Sequence, residues 1–514
     1  MATAAATPSG VGFRSERGPV LAALMLCTGL VALDSTIIAT AVPSIVRELG
    51  GFAQLPWLFS IYLLTQAVTV PLYGKFADVI GRKPVMFFGI GVFLLGSVLS
   101  GVAWSMPALI AFRAIQGIGA GAVQPMSMTI VGDLYTVEER ARVQGYIASV
   151  WGIAAVLGPT LGGVFSQYAS WRWIFFVNLP LGALATVVLA RRFQEKVKER
   201  RRHKIDYPGA AMLVVGCSLL ILGLLEGGVG WAWLSVPSVV IFVVAVALLV
   251  AFVVVESRTE EPVLPLWVFS RRVLTGGTLA AFGVGALLIG LSSYVPTYVQ
   301  GVLGTGALVA GFALAALSVG WPLASTLSGR IYVRIGFRDT ALFGSVLVVA
   351  GAVLCALLPE QAQVWQVAGA VFVVGAGLGL TSSPTLVAAQ SVVRWERRGV
   401  VTGTNMFARS MGSAVGAAVM GAIANATLTG RLAHPPAGAS RALGGDGIDA
   451  TSLVLGGHVP TGDSGVATFV RDALYAASHH VFVTVIAVAV IAGGAVLLMP
   501  RHTKELTFDD ALSR

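Results

Sequence analysis

Of 514 residues, 56% are hydrophobic and only 11% charged, and the mean hydropathy is +0.84, whereas an ordinary soluble chain carries about 25% charged residues. That composition excludes a water-soluble globular domain and points to helices solvated by lipid, where the 62 glycines let helix backbones approach closely. A net charge of +10 keeps nucleic acid open as a partner until the basic residues are located.

The N-terminal tail, residues 1–19, is small and polar, and the apolar run behind it exceeds the core of a signal peptide, so the first span is expected to be retained. A bilayer core of about 30 Å takes about 20 apolar residues per helix. Fourteen windows meet that need. They are Val20 to Val42, Leu58 to Phe76, Val85 to Ala103, Pro107 to Ile130, Val143 to Phe165, Trp173 to Ala190 and Gly209 to Leu225. The remaining seven are Val236 to Val255, Leu274 to Tyr294, Ala307 to Ser328, Ala341 to Leu358, Val364 to Val387, Val400 to Ala424 and His480 to Met499. Numbering them spans 1 to 14 divides the connections into two alternating sets. The set with both termini holds 27 of the 34 lysines and arginines, the other holds 5, and Arg113 and Arg409 lie within spans. The positive-inside rule then places both termini in the cytoplasm. The densest basic run, Arg191 to Lys204, follows span 6 directly and lacks interleaved aromatics, so it is expected to anchor at anionic headgroups. Nucleic acid is excluded as a partner.

Two internal pairings organise the spans. Gly74 and Gly81 of "GKFADVIGRK" recur as Gly329 and Gly336 of "GRIYVRIGFR", at an offset of 255 residues. Gly145 and Gly158 of span 5 recur as Gly403 and Gly416 of span 13, at an offset of 258. Agreeing offsets across eight spans imply a duplicated six-helix unit in parallel orientation, with two helices inserted. The expected fold is all-α: a six-helix bundle over 20–190, a basic linker over 191–208, two inserted helices over 209–255, a second linker over 256–273, a second bundle over 274–499 with an external loop at 425–479, and a cytoplasmic tail over 500–514.

Several of these segments carry a family signature. "LDSTIIATAVPSI" (Leu33 to Ile45), "GKFADVIGRKPV" from Gly74, "RAIQGIGAGAVQP" (Arg113 to Pro125), "GIAAVLGPTLGG" (Gly152 to Gly163), "WRWIFFVNLPLG" (Trp171 to Gly182) and "DYPG" (Asp206 to Gly209) stand in order at the expected span ends. Together they resemble the fourteen-helix drug:proton antiporter branch of the major facilitator superfamily. Two positions depart from the pattern: Ala154 replaces a usual glycine, and Val333 replaces the acid in the second copy of the loop motif.

Asp34 lies about 22 Å from the cytoplasmic end of span 1, at about 1.5 Å per residue. An intramembrane carboxylate is costly unless paired or protonated, which suits a proton carrier. Arg113 enters span 4 from the other side at a matching depth, so the two are expected to form the proton-coupling pair if spans 1 and 4 share a cavity. The alternative is a structural hydrogen-bond acceptor or a permanently neutralised partner of an arginine. The resemblance implies a cytoplasmic gate in Asp78 and Arg82, while Gly74 and Gly81 are read as permitting a tight turn. It also implies an antiporter motif in Gly152, Gly158, Pro159, Gly162 and Gly163, where a Gly-Pro kink serves as hinge or seal, against plain close packing. Tyr62, Gln66, Gln116, Gln124, Tyr294 and Asn405 are candidate cavity polar groups. Arg409, about 13 Å into span 13, divides between a cavity role and a structural one.

Glu226 reads as an interfacial acid, and His479 and His480 have no third ligand nearby, so no metal is expected. The cysteines Cys27, Cys217 and Cys355 stand singly in apolar segments, without metal or disulfide spacing. The expectation is a non-enzymatic, multi-pass protein of the cell inner (plasma) membrane, exporting lipophilic, often cationic, drugs or antibiotics in exchange for protons by alternating access, with no cofactor. Its partners are the small-molecule substrate, protons and lipid. The rivals are a dedicated exporter of one metabolite (antibiotic, siderophore or lipid), an intramembrane enzyme, for which no His-rich or paired-acid cluster is found, and a regulatory sensor, for which no cytoplasmic segment is long enough; no phosphate-cradling loop is found that would make an ATP-driven pump.

Overall fold

The computed structural model describes residues 12–13, 15–49, 55–195, 206–227, 231–259, 262, 264, 266–394, 397–432 and 464–501. Among these the chain forms sixteen helices and no named strand. They are α1 (Gly18–Leu49), α2 (Leu55–Ile80), α3 (Arg82–Gly101), α4 (Met106–Leu134), α5 (Val137–Tyr168), the short α6 (Trp173–Phe176), α7 (Asn178–Arg192), α8 (Tyr207–Glu226) and α9 (Val236–Glu256). After the short α10 (Trp267–Ser270) come α11 (Arg272–Gly301), α12 (Ala307–Ile335), α13 (Phe337–Ala356), α14 (Val364–Ser391), α15 (Arg398–Leu432) and α16 (Ser464–Val496). Eleven stretches are long and apolar enough to cross a membrane, α6 and α7 counting as one; α8 contributes a shorter apolar helix, Pro208–Leu224.

Helix ends follow local chemistry. Ser105 caps α4 by accepting from the Ala108 N–H, and Thr136 and Glu139 form a reciprocal capping box at α5. In "DYPG", Asp206 caps α8 through the Gly209 N–H and Pro208 fills a first-turn position that needs no donor. Several helices outrun their apolar windows, because backbone hydrogen bonding continues past the hydrocarbon boundary. Residues expected as external loop, 425–432 and 464–479, are helical in α15 and α16; 433–463 lie outside the described residues. So do most of the basic linker (196–205), residues 1–11 and the tail 502–514.

Packing repeats in register. In the first half α1 packs on α5 and α7, and α4 on α2 and α3; in the second, α11 packs on α15 and α16, and α14 on α12 and α13. Contacts across the halves run chiefly through α2 with α15 and α5 with α12, while α8 and α9 pair with each other and α8 leans on α2 and α15. Separate apolar cores fill the halves, one around Phe93 and Met126, another around Tyr298 and Phe482. The outward faces stay apolar: on α9, Val236, Val243 and Val250 are well exposed, as a lipid-facing helix requires.

Contacts also orient the ends. At one, here termed the basic end, Arg17 pairs with Glu139 and Lys83 donates to the Phe193 carbonyl. At the opposite end, Glu48 accepts from Trp171 Nε1 at 2.7 Å and from Arg172, whose guanidinium also reaches the Ala103 carbonyl at 2.9 Å. The hydrogen bonds from Trp171 and Arg172 hold the Glu48 carboxyl below its ordinary value.

Candidate functional site

Asp34 sits midway along α1 and is 1% exposed. Its Oδ2 accepts from Arg113 Nη1 at 2.5 Å, and its Oδ1 accepts from Gln116 Nε2 at 2.8 Å and from Asn178 Nδ2 at 3.4 Å. Arg113 and Gln116 stand one turn apart on α4, so the helix repeat aims both at one carboxylate, and Arg113 Nη1 also donates to Gln116 Oε1 at 2.8 Å. A second layer fixes the first: Ser97 on α3 accepts from Gln116 and Asn178 and donates to the Phe175 carbonyl at 2.9 Å. The Tyr62 ring lies 4.1 Å from the Arg113 guanidinium carbon, in cation–π geometry. Five helices, α1 to α4 and α7, thus converge on one acid.

Gln116 and Tyr62, expected as polar groups of the cavity, stand here in the shell of the Asp34–Arg113 pair and are 0% and 1% exposed. Ser97 and Asn178 have no assigned role in the sequence reading; the polar Asn178 inside the apolar "WRWIFFVNLPLG" was the available signal. In this conformation the carboxylate is sealed, so exchange of a proton with solvent requires the shell to open.

A second polar cluster joins the halves at the basic end. Gly74 lies inside α2, not in a turn, because α2 continues to Ile80. A methyl group on Gly74 would lie 3.0 Å from the Gly399 carbonyl oxygen and 3.5 Å from Gly403 Cα, so α2 and α15 cross there backbone to backbone. The turn falls at Gly81 alone, whose φ of +104 suits glycine. Against it stands the Glu195 carboxylate, which accepts from the Arg82 and Lys83 amides at 2.7 and 3.1 Å and so caps α3 from just beyond α7 of the same bundle. Arg82 is buried, with Nε 3.3 Å from Asp133 Oδ2 and Nη1 donating to the Ala77 carbonyl. Arg398, at the start of α15, approaches the other Asp133 oxygen at 3.7 Å and donates to the Gly132 carbonyl at 2.8 Å. Asp133 therefore links Arg82 of one half to Arg398 of the other. Sequence reasoning missed it because span 4 was ended at Ile130, leaving Asp133 as one more loop charge. The Asp78 side chain lies outside the described residues.

The helix 5 motif divides its contacts. A methyl on Gly152 would meet the Ser318 carbonyl of α12 at 2.9 Å, whereas one on Gly158 would run into Thr36 of α1. Thr36, two residues from Asp34, donates to the Ala154 carbonyl at 2.9 Å. One stretch of α5 therefore touches both the opposite half and the helix bearing the buried acid. Gly162 is buried; the Pro159 and Gly163 side positions lie outside the described residues, and α5 is helical throughout.

Of the remaining cavity candidates, Gln66 and Gln124 are buried at 8% and 7% exposure. Tyr294 and Asn405 tie α11 to α15, through the Met420 carbonyl at 3.4 Å and the Gly277 carbonyl at 3.2 Å. Arg409 is half-buried on α15. Among the described residues no group of three metal-ligating side chains occurs; His480 Nδ1 is 3.0 Å from the Thr427 hydroxyl.

Residues 24–417 match the family profile described as Major Facilitator Superfamily. The chain is 33% identical to "Multidrug resistance protein 3" of Bacillus subtilis (strain 168) over 95% of its own length and 96% of that protein. It is 34% identical to "Multidrug transporter protein MdtP" of the same organism, over 81% of this chain and 76% of that one. It is 31% identical to "Efflux pump FUS6" of Gibberella moniliformis, over 79% and 74%. Among solved structures, the human organic anion transporter MFSD10 (TETRAN) shares the fold, with a TM-score of 0.60 at 16% identity, covering 92% of this chain and 99% of that one.

Proposed function

Because this chain belongs to the major facilitator superfamily, and its relatives carry multidrug-resistance and efflux names, we propose that it is a secondary active exporter of lipophilic small molecules, driven by protons through alternating access. The observation that carries the reading is Asp34, a carboxylate enclosed deep in the first bundle and held by an arginine, two amides and, behind them, a serine. A charge so placed persists only while compensated. When a proton replaces the Arg113 contact, the acid becomes neutral and the arginine is released, so protonation and bundle geometry are coupled.

The expected cycle follows from the contacts. With the basic end latched through Asp133, Arg398 and the Gly74–Gly399 crossing, access is from the opposite end, where a proton reaches Asp34. Protonation loosens the α1–α4 contact, and through Thr36 it reaches α5, which packs on α12 of the second half. The latch then opens toward the basic end, substrate enters, and the proton leaves. In this reading α2, α5 and α8 also cross the membrane, making fourteen spans, and the basic end is cytoplasmic by the charge bias. The exporter acts at the cell membrane without a cofactor and catalyses no covalent reaction.

The test is dye transport in proteoliposomes under an imposed pH gradient, comparing the native protein with Asp34→Asn. Gradient-driven movement is expected in the first and lost in the second, with gradient-independent exchange of dye retained. Equal gradient-driven transport by both would remove Asp34 from the coupling role.

A further inference from the structure

Asp34, Arg113 and Arg409 are charges set inside the apolar windows of α1, α4 and α15. The first two neutralise one another. Arg409 lies about 16 Å from the start of α15, at about 1.5 Å per residue, and among the described residues its guanidinium takes part in no hydrogen bond, ion pair or ring contact. A guanidinium at that depth is costly unless compensated; among the described residues no counter-charge offsets it.

Its position on α15 places it toward the interior. Thr402, Asn405 and Met406, within two turns before it, face Gln390 on α14, Gly277 on α11, and Val70 with Leu386 across the two halves. One turn after it, Ser413 bonds the Gly285 carbonyl. At Gly285 and Gly412 the backbones of α11 and α15 touch, leaving no room for added side chains. The arginine therefore rises from a rigid glycine-lined seam beside the inter-bundle space, on the face opposite Phe407, Met411 and Ala414, which pack toward α8. Lipid phosphates sit at the membrane surface, too far away to serve as its counter-ion. The acid that a cationic ligand would seek is meanwhile occupied, since both Asp34 oxygens are bonded.

We propose that Arg409 is the substrate-recognising cation of the inter-bundle cavity, and that the preferred substrates are lipophilic molecules bearing one anionic group, a carboxylate or sulfonate, that pairs with it. This rests on the exporter reading and stands in place of the cationic preference expected from an apolar cavity with one acid. A guanidinium binds such groups in a bidentate fork.

The test uses rhodamine B, which carries a free carboxylate, and its ethyl ester, which differs by masking that group. Binding of each to the purified full-length protein is measured by fluorescence anisotropy at neutral pH. The native protein is expected to bind rhodamine B about ten-fold or more tightly than the ester, as one charge-assisted pair provides. Arg409→Gln should bring that ratio close to one, and Arg409→Lys, which keeps the charge without the fork, should retain part of it. Stronger binding of the ester, binding of neither dye, or an undiminished ratio in Arg409→Gln would overturn the proposal. Discriminating binding by a native protein that moves no dye under a pH gradient would leave the anion site standing and remove the proton-driven exporter.

Discussion

The Asp34–Arg113 pair makes a quantitative prediction through a double-mutant cycle of Asp34→Asn and Arg113→Gln. Both partners are 1% exposed, so removing either charge strands the other away from water, a change worth about 3–5 kcal/mol for buried pairs. Asparagine keeps an acceptor for Arg113, and Arg113 retains Gln116 Oε1 at 2.8 Å and the Tyr62 ring, which puts Asp34→Asn near the lower limit, about 3 kcal/mol. Arg113→Gln leaves the carboxylate with two amide donors and should fall in the same range. The double variant strands no charge. It should therefore cost well under the sum of the singles, with a coupling of about 2–3 kcal/mol, the upper part of the range for contacting residues. The assay is equilibrium unfolding in mixed micelles, read by a thiol-reactive dye, since Cys27, Cys217 and Cys355 are all free and buried and react only on unfolding. Costs that add to within about 0.5 kcal/mol, the behaviour of independent sites, would refute the buried pair as described.

Other contacts make separate predictions. Gly74→Val should hold α2 and α15 apart where a methyl would already stand 3.0 Å from the Gly399 carbonyl; membrane insertion should be normal and dye transport lost, measured on the same reconstituted sample. Glu195→Ala should cost about 1 kcal/mol of stability, as loss of a helix N-terminal cap does, whereas Gly81→Ala should remain destabilising even in the Glu195→Ala background, because its φ of +104 penalises any Cβ; thermal midpoints of the three variants check both. Glu48 predicts an acid limb: its carboxyl is held below the ordinary value of 4.5 by Trp171 and Arg172, so its contribution is present above about pH 4.5 and is lost as pH falls through the lowered folded value. The side chain is 50% exposed, so the effect should stay under about 1 kcal/mol and shrink with salt, and Glu48→Gln should flatten that limb in melts from pH 6 to pH 3.

Membrane character and the approximate windows of the helices were legible in the linear sequence because lipid imposes a length and an apolarity on each crossing segment, and matched glycines recur at the similar offsets of 255 and 258 residues. Asp34 and Arg113 were legible for the same reason: charge inside an apolar run stands out. What the sequence could not supply was which polar groups share a point in space. Asp34 gathers Arg113, Gln116, Asn178 and, through them, Ser97 from segments up to 144 residues apart, and Asp133 meets Arg398 across the two halves, since helix packing rather than hydropathy sets those neighbours. Gly74 read as a turn residue because glycine serves both turns and close crossings; only the approach of α15 separates the two uses. That Arg409 meets no counter-charge among the described residues likewise depends on the helices around it, which is why charge pairing was decided by the tertiary structure alone.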